Sequence, residues 1–294
     1  MADSKVPDLT AIGALASGDL VYVVDDPGGT PLDRKATVDQ VKEFCYPRGF
    51  VYGGKLSNAA GDATNDITIQ PLVVQDEGGG GLLELTAART KQIDAAWAVG
   101  DNAGGMNTGS VANDTWYEVI AVKRTDTGVV DVMFSTTANR ATLPTNYTLK
   151  ARIGWVRRGT AANLVFTQRG DFFTLTTPIN DVAASKATSQ AAVTLTVPPN
   201  AIALFRAGAD MSTSVNANSA LVFREIGEAD TAPALATGNI SLGYWDLATG
   251  ASGGHFAVRA DGSSQIRHDA DTAVGAFDIS TYGWVDDYRG LAAP

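Results

Sequence analysis

Residues Trp116–Arg158, WYEVIAVKRTDTGVVDVMFSTTANRATLPTNYTLKARIGWVRR, decide the fold class. Asp126-Thr127-Gly128 separates two runs rich in β-branched and aromatic residues. A tight turn with glycine at its last position between such runs predicts a β-hairpin. In the second run Val130, Val132 and Phe134 share one face and Asp131 lies on the other, the alternation of a strand with one side buried. After Leu143-Pro144 a third run places Ala151, Ile153 and Trp155 on one face. Lys150, Arg152, Val156 and Arg158 fall on the other, which predicts one core side and one mostly solvated side. Arg152, Arg157 and Arg158 are expected to form a solvated strand face or salt bridges.

Composition extends this reading to the whole chain. Its 294 residues can bury a sizeable core in one large or two moderate domains. Only 18% of residues are charged and 31 are glycine, which, with abundant Thr, Ala, Val and Asn, reads as many short strands and tight turns. The low charge suggests that other copies of the chain cover part of the surface. A net charge of −10 and a pI near 4.6 argue against nucleic-acid binding, because phosphate neutralisation needs a basic footprint. The single cysteine, Cys45, excludes an intrachain disulfide framework and a multi-cysteine zinc site. It reads as a small apolar residue on a short helix. The start of the sequence shows no secretory signal and no apolar run spans a bilayer, so a soluble protein made in the cytoplasm is expected.

Three segments follow in order. Residues 1–48 contain the apolar strand Leu20-Val21-Tyr22-Val23-Val24, a Pro27-Gly28-Gly29 turn and a short helix from Val38. Thr37 and Gln40 there have capping-box spacing, and Val38, Val41 and Cys45 share one side. A unit this small cannot bury enough apolar surface to stand alone. Residues 49–175 hold the alternating Asp66–Gln70 run and the Leu72–Val74 run. The Gly78–Gly81 run lies between strand candidates and so reads as a loop of the same domain in preference to a linker. Asp101–Asn107 gathers oxygen donors and glycines but departs from the EF-hand pattern, so ordinary turns are favoured over calcium. Residues 176–294 carry further short strands around Val193–Val197, Ala201–Phe205, Leu221–Phe223, Ile240–Trp245, His255–Val258, Gln265–Arg267 and Tyr282–Tyr288. The expected fold is all-β: one or two antiparallel β-sandwich, jelly-roll-like domains after a small N-terminal strand-helix unit, the last segment being a second sandwich or a continuation of the first.

The central stretch also carries a resemblance. Trp116-Tyr117, the run Thr127-Gly128-Val129-Val130-Asp131-Val132, Thr142-Leu143-Pro144 with Tyr147, and Arg152-Ile153-Gly154-Trp155 resemble a module of tail-fibre and other appendage proteins of tailed bacteriophages. The resemblance continues at Phe166-Thr167-Gln168 and closes on Thr281-Tyr282-Gly283-Trp284-Val285-Asp286-Asp287-Tyr288-Arg289-Gly290. It covers about two thirds of the length and marks structure, identifying no catalytic residue. The strand-turn-helix order of residues 1–48 is similar to the N-terminal segment of such proteins. The resemblance implies a non-enzymatic virion structural protein, mounted on other virion proteins through Leu20, Tyr22, Val38, Val41 and Phe44. It implies a homotrimer that binds a host-surface glycan or protein, without membrane insertion.

Little in the sequence offers other chemistry. The two histidines, His255 and His268, have no metal-ligand spacing, and no cofactor or metal is expected. Of the tryptophans, Trp116, Trp155 and Trp284 sit at strand positions and read as core. Trp245, in Tyr244-Trp245-Asp246 beside a glycine-rich stretch, is the better candidate for an exposed contact. Two alternatives stay open. One is a structural connector or head or neck decoration without receptor binding. The other is a glycan-degrading tailspike, which needs paired carboxylates across a groove; no pair is privileged by spacing.

Overall fold

The computed structural model describes residues 16, 18–25, 32–186, 190–210, 219–234, 238–244, 251–270 and 274–290. The chain is nearly all β. In order, the elements are β1 (Leu20–Asp25), β2 (Leu32–Thr37), α1 (Val38–Phe44), β3 (Val51–Gly53), β4 (Leu56–Asn58), β5 (Asp66–Ile69), β6 (Leu72–Gln75) and β7 (Leu82–Leu85). Next come β8 (Arg89–Ala96), β9 (Ala103–Met106), β10 (Thr115–Arg124), β11 (Val130–Ser135), β12 (Tyr147–Arg158), β13 (Phe166–Arg169), β14 (Phe172–Lys186), β15 (Ala191–Thr194) and β16 (Ile202–Asp210). The last are β17 (Ser219–Arg224), β18 (Leu242–Tyr244), β19 (Ala251–Arg259), β20 (Gln265–Ala270) and β21 (Val274–Val285).

Within the described part of the 1–48 segment, β1 and β2 pair antiparallel and α1 follows. The Thr37–Gln40 capping box is present in full, each side chain satisfying the other's backbone. Helix α1 ends at Phe44, so Cys45 is its C-cap and is exposed, with Sγ directed to the Val41 carbonyl. The expected apolar side of the helix therefore stops one residue short. Leu20 and Val41 are exposed and Val38 is half-buried. Tyr22 and Phe44 are placed in β1 and α1, and their side chains fall outside the described part.

A seven-stranded sheet, in the order β12-β10-β11-β9-β8-β5-β4, is covered on one face by the three-stranded sheet β3-β6-β7. The Asp126–Gly128 turn closes the β10–β11 hairpin as its sequence predicts, with Gly128 at φ 74°. Gly78–Gly81 is likewise a tight β6–β7 connection, ordered by Asp76, which accepts from the Gly78 and Gly80 amides. Pairing is antiparallel except at β9, which is parallel to β8 and β11, so the sheet is mixed where a purely antiparallel one was expected. Two glycines permit it. A Cβ on Gly104 would lie 1.9 Å from the Ala96 carbonyl, and one on Gly105 would lie 2.6 Å from the Phe134 ring.

Both half-solvated faces expected in the central stretch are in fact mostly buried, with Lys150 half-buried. Asp131 is fully enclosed and meets Lys91 at 3.5 Å, also enclosed. On β12 a bulge against Val119 and Ile120 breaks the alternation. Ala151 and Ile153 enter the main core, but the next residue to do so is Val156 and not Trp155, because an extra residue in a strand reverses the parity beyond it. Trp155 instead lies with Arg152 at 5.3 Å and is buried.

The remaining strands form a five-stranded sheet, β13-β14-β21-β16-β19, and a four-stranded sheet, β15-β20-β17-β18. Strand β14 was not among the strands expected from the sequence. Its pairing with β21 skips from Thr174 to Ile179 and again from Asn180 to Val182. Pro178 lies in the first skip, where no ladder donor is required. One hydrophobic cluster runs through all of these sheets, from Leu56 and Val119 to Phe205 and Trp284.

The motifs of the resemblance meet where the first sheet joins the second. Trp284 stacks on Phe173 at 4.9 Å and meets Trp116 edge-on at 5.0 Å. Gln168 accepts from the Leu56 amide at 2.6 Å. Glycine is demanded at 283, where a Cβ would come within 2.2 Å of the Phe173 carbonyl. Beyond β21 the chain then clasps β12. Arg152 pairs with Asp286 at 2.6 Å and donates to the Tyr288 carbonyl. The Gly290 amide donates to the Arg152 carbonyl, and Arg289 donates to Ile153 O at 2.8 Å. Asp76 and Glu77 accept from the Lys150 and Arg152 amides further along. The edge of β12 is thereby closed to strand addition.

Candidate functional site

On the outer face of the seven-stranded sheet, opposite the main core, Ile120, Val122, Met133 and Tyr147 form a small second cluster with Trp97 and Leu143 packed against it. Strand β10 is thus apolar on both faces, which is why its sequence reads as a continuous apolar run. Over this cluster opens a groove of about 610 Å³. Its walls come from three places: residues 96–107, the 124–129 turn and the 142–147 loop.

Trp97 and Tyr147 make the floor, edge to face with ring centres 5.1 Å apart. The Trp97 indole N–H is spent on the Val132 carbonyl at 3.1 Å, which fixes the ring. The Tyr147 hydroxyl has no hydrogen-bond partner among the described residues, and its pKa is raised, first by burial and then by Asp131. Leu143 and Pro144 form one wall, and the exposed Val99 and Val129 form the rims.

Buried charges hold both walls. The Lys91 ammonium donates to the carbonyls of Ala98 at 2.6 Å and Gly100 at 3.2 Å, and Asp131 accepts from the Gly100 amide. This lysine occupies the inside of the 98–100 turn, and burial lowers its pKa despite Asp131. On the other side Arg140 bridges Glu77 at 2.6 Å and Glu118 at 2.7 Å, fixing the start of the 140–146 loop. Asn107 donates to the carbonyls of Asn139 and Thr142, tying the first wall to the third. At the hairpin end, Arg124 binds both oxygens of Asp126, whose carboxyl is lowered to about 2 by this contact. Asp126 is therefore ionised at neutral pH and is no proton donor there.

Trp245 and Asp246 fall outside the described residues, and Tyr244 ends β18 with its side chain likewise outside. Trp155 and Trp284 are buried and Trp116 packs on the core, as their strand positions predict. Trp97 carried no distinguishing sequence signal beyond being a tryptophan next to the turn-rich Val99–Asn107 segment. That segment turns over residues 99–102 and continues as β9. Asp101 accepts from the Thr90 amide at 2.7 Å and from the Asn102 side chain. Among the described residues no group of three or more His, Cys, Asp or Glu could hold a metal. Nor do the β12 arginines make a basic patch: Arg152 is enclosed, Arg158 donates to Thr64, Asn65 and Ala161, and Arg157 meets Asp114 at 3.7 Å.

No family model matches the chain, and a search of the curated proteins returns no match.

Proposed function

We propose that this chain is a structural protein of a tailed-bacteriophage virion, a tail fibre or similar appendage, which contacts the host surface without catalysis. The observation that carries the host-contact part is the groove: a solvent-open, amphipathic hollow held by buried charges on a wide sheet, as a preorganised binding surface requires. The resemblance of the motifs gathered around Trp284 supports the virion part. The layering of the three-stranded on the seven-stranded sheet reads as a sandwich, with the five- and four-stranded sheets as a second one joined through the shared core. The 1–48 hairpin and helix, with Leu20, Val21 and Val41 exposed, are the mounting unit. A homotrimer would cover those residues and multiply weak contacts through effective concentration.

The reading is tested on purified particles. Antibody to the chain should label an appendage by electron microscopy, and Leu20→Glu with Val41→Glu should abolish incorporation while leaving the fold intact. Particles without the chain would sink the proposal. Incorporation without any contribution to host adsorption would favour the connector or decoration role.

A further inference from the structure

We infer that the groove over Trp97 and Tyr147 is a binding site for a neutral pyranose unit of an oligosaccharide. The inference deepens the appendage reading and rests on it for biological meaning, although the chemistry comes from the groove alone. A pyranose is a rigid ring with apolar C–H faces and a rim of hydroxyls, so its site must be amphipathic on the same scale. The lining divides in that way, with Trp97, Leu143 and Pro144 apolar and Asn107, Thr145 and the Tyr147 hydroxyl polar. About 610 Å³ is within the range of small-molecule sites. Asn107 spends its amide N–H groups on the 139 and 142 carbonyls. That leaves its Oδ1, like the Tyr147 hydroxyl, without a partner among the described residues. One acceptor and one donor/acceptor thus face an aromatic floor.

The charge balance decides between neutral and ionic ligands. Arg124 is committed to both oxygens of Asp126, and Lys91 to two carbonyls and Asp131. The cation in the groove lining, Arg124, already has Asp126 as its counterion, so a carboxylate or phosphate would have to compete with that partner, and the lining itself holds no carboxylate for a cation. An extended peptide is also disfavoured, because strand addition needs an unpaired edge. The groove lies across strand faces whose backbone bonds are spent within the β10–β11 and β10–β12 ladders. Since both walls are already pinned, little ordering cost is left to the ligand.

The test uses the full chain and neutral gluco-, galacto- and rhamno-configured di- and trisaccharides, with oligogalacturonate as the acidic counterpart. Binding is read by tryptophan fluorescence and ligand-observed NMR. At least one neutral probe should bind, with Kd in the millimolar range or tighter. Thr145→Trp, at an exposed wall position, should abolish binding by filling the groove. Tyr147→Phe keeps the ring and should weaken binding about tenfold, about 1.4 kcal/mol. Near-ultraviolet circular dichroism checks that both variants retain the native packing. No binding by any neutral probe, preference for the acidic one, or binding indifferent to Thr145→Trp would each overturn the site. Binding by the wild type alone, with particles that lack the chain, would keep the sugar site and remove the appendage reading. Adsorption that depends on the chain but not on Thr145→Trp would do the reverse.

Discussion

The clasp at 286–290 and the groove over Trp97 are both built on strands β10–β12, and they use charge in opposite ways. In the clasp, Arg152 and Asp286 are enclosed and joined across 134 residues of sequence. The charges there face one another, and Arg152 also donates to the Tyr288 carbonyl. In the groove, Lys91 and Arg140 stand behind the walls, and the surface offered to solvent carries hydroxyls, an amide oxygen and aromatic carbon, with Arg124 at the hairpin end paired to Asp126. The difference teaches that enclosed charge serves structure in both places, closing a strand edge in one and shaping an open hollow from behind in the other.

The sharpest way to break the comparison is at Asp286. Asp286→Ala leaves the Arg152 guanidinium enclosed without its counterion, and should cost about 3–5 kcal/mol by denaturant unfolding. A change below about 1 kcal/mol would show that the clasp is not what holds the two halves. Next in size is Gly283→Ala, where the new Cβ would meet the Phe173 carbonyl. It should cost about 1–3 kcal/mol through displacement of β21 from β14, read as a lower unfolding midpoint at unchanged slope. Asp287, more than a third exposed, contributes less. Its hydrogen bond to Arg259 lowers its pKa below the ordinary 3.8. The stability it adds is therefore present above that value and lost as pH falls through the lowered one. Asp287→Asn should flatten the acid limb of the stability–pH curve by no more than about 0.5 kcal/mol after solvent screening. Smallest of all is Val99→Ser on the groove rim, expected to change stability by less than about 0.5 kcal/mol. A large loss there would mean that the rim is structural after all.

How far the sequence could be read follows from the range over which each feature is determined. The 126–128 hairpin, the Thr37–Gln40 cap, the core placement of Trp284 and the burial, though not the face, of Trp155 depend on neighbours or on a strand's own composition, and were legible. The faces of β12 were not, because one bulge before Gly154 reverses the parity and is set by the partner strand. β14 was hidden for the same reason, its Pro178 lying in a gap of its ladder. The 286–290 segment looked like a mere signature, yet its aspartate and arginine side chains answer groups on β12 and in the 170–171 turn. The groove was least legible of all. Its floor and walls come from three loops whose juxtaposition depends on the register of β8 to β12, and Trp97 by itself points to no surface.

Strand β21 follows every other strand in sequence but sits in the middle of its sheet, between β14 and β16. During synthesis those two strands leave the ribosome with facing backbone edges and nothing to join them until residues 274–285 have been translated. Any shortened product, from premature termination or proteolytic trimming inside that strand, would carry two open edges and an unfilled place where Trp284 belongs. Open edges of that kind favour aggregation. The position of one strand therefore makes closure of the five-stranded sheet wait for residues 274–285.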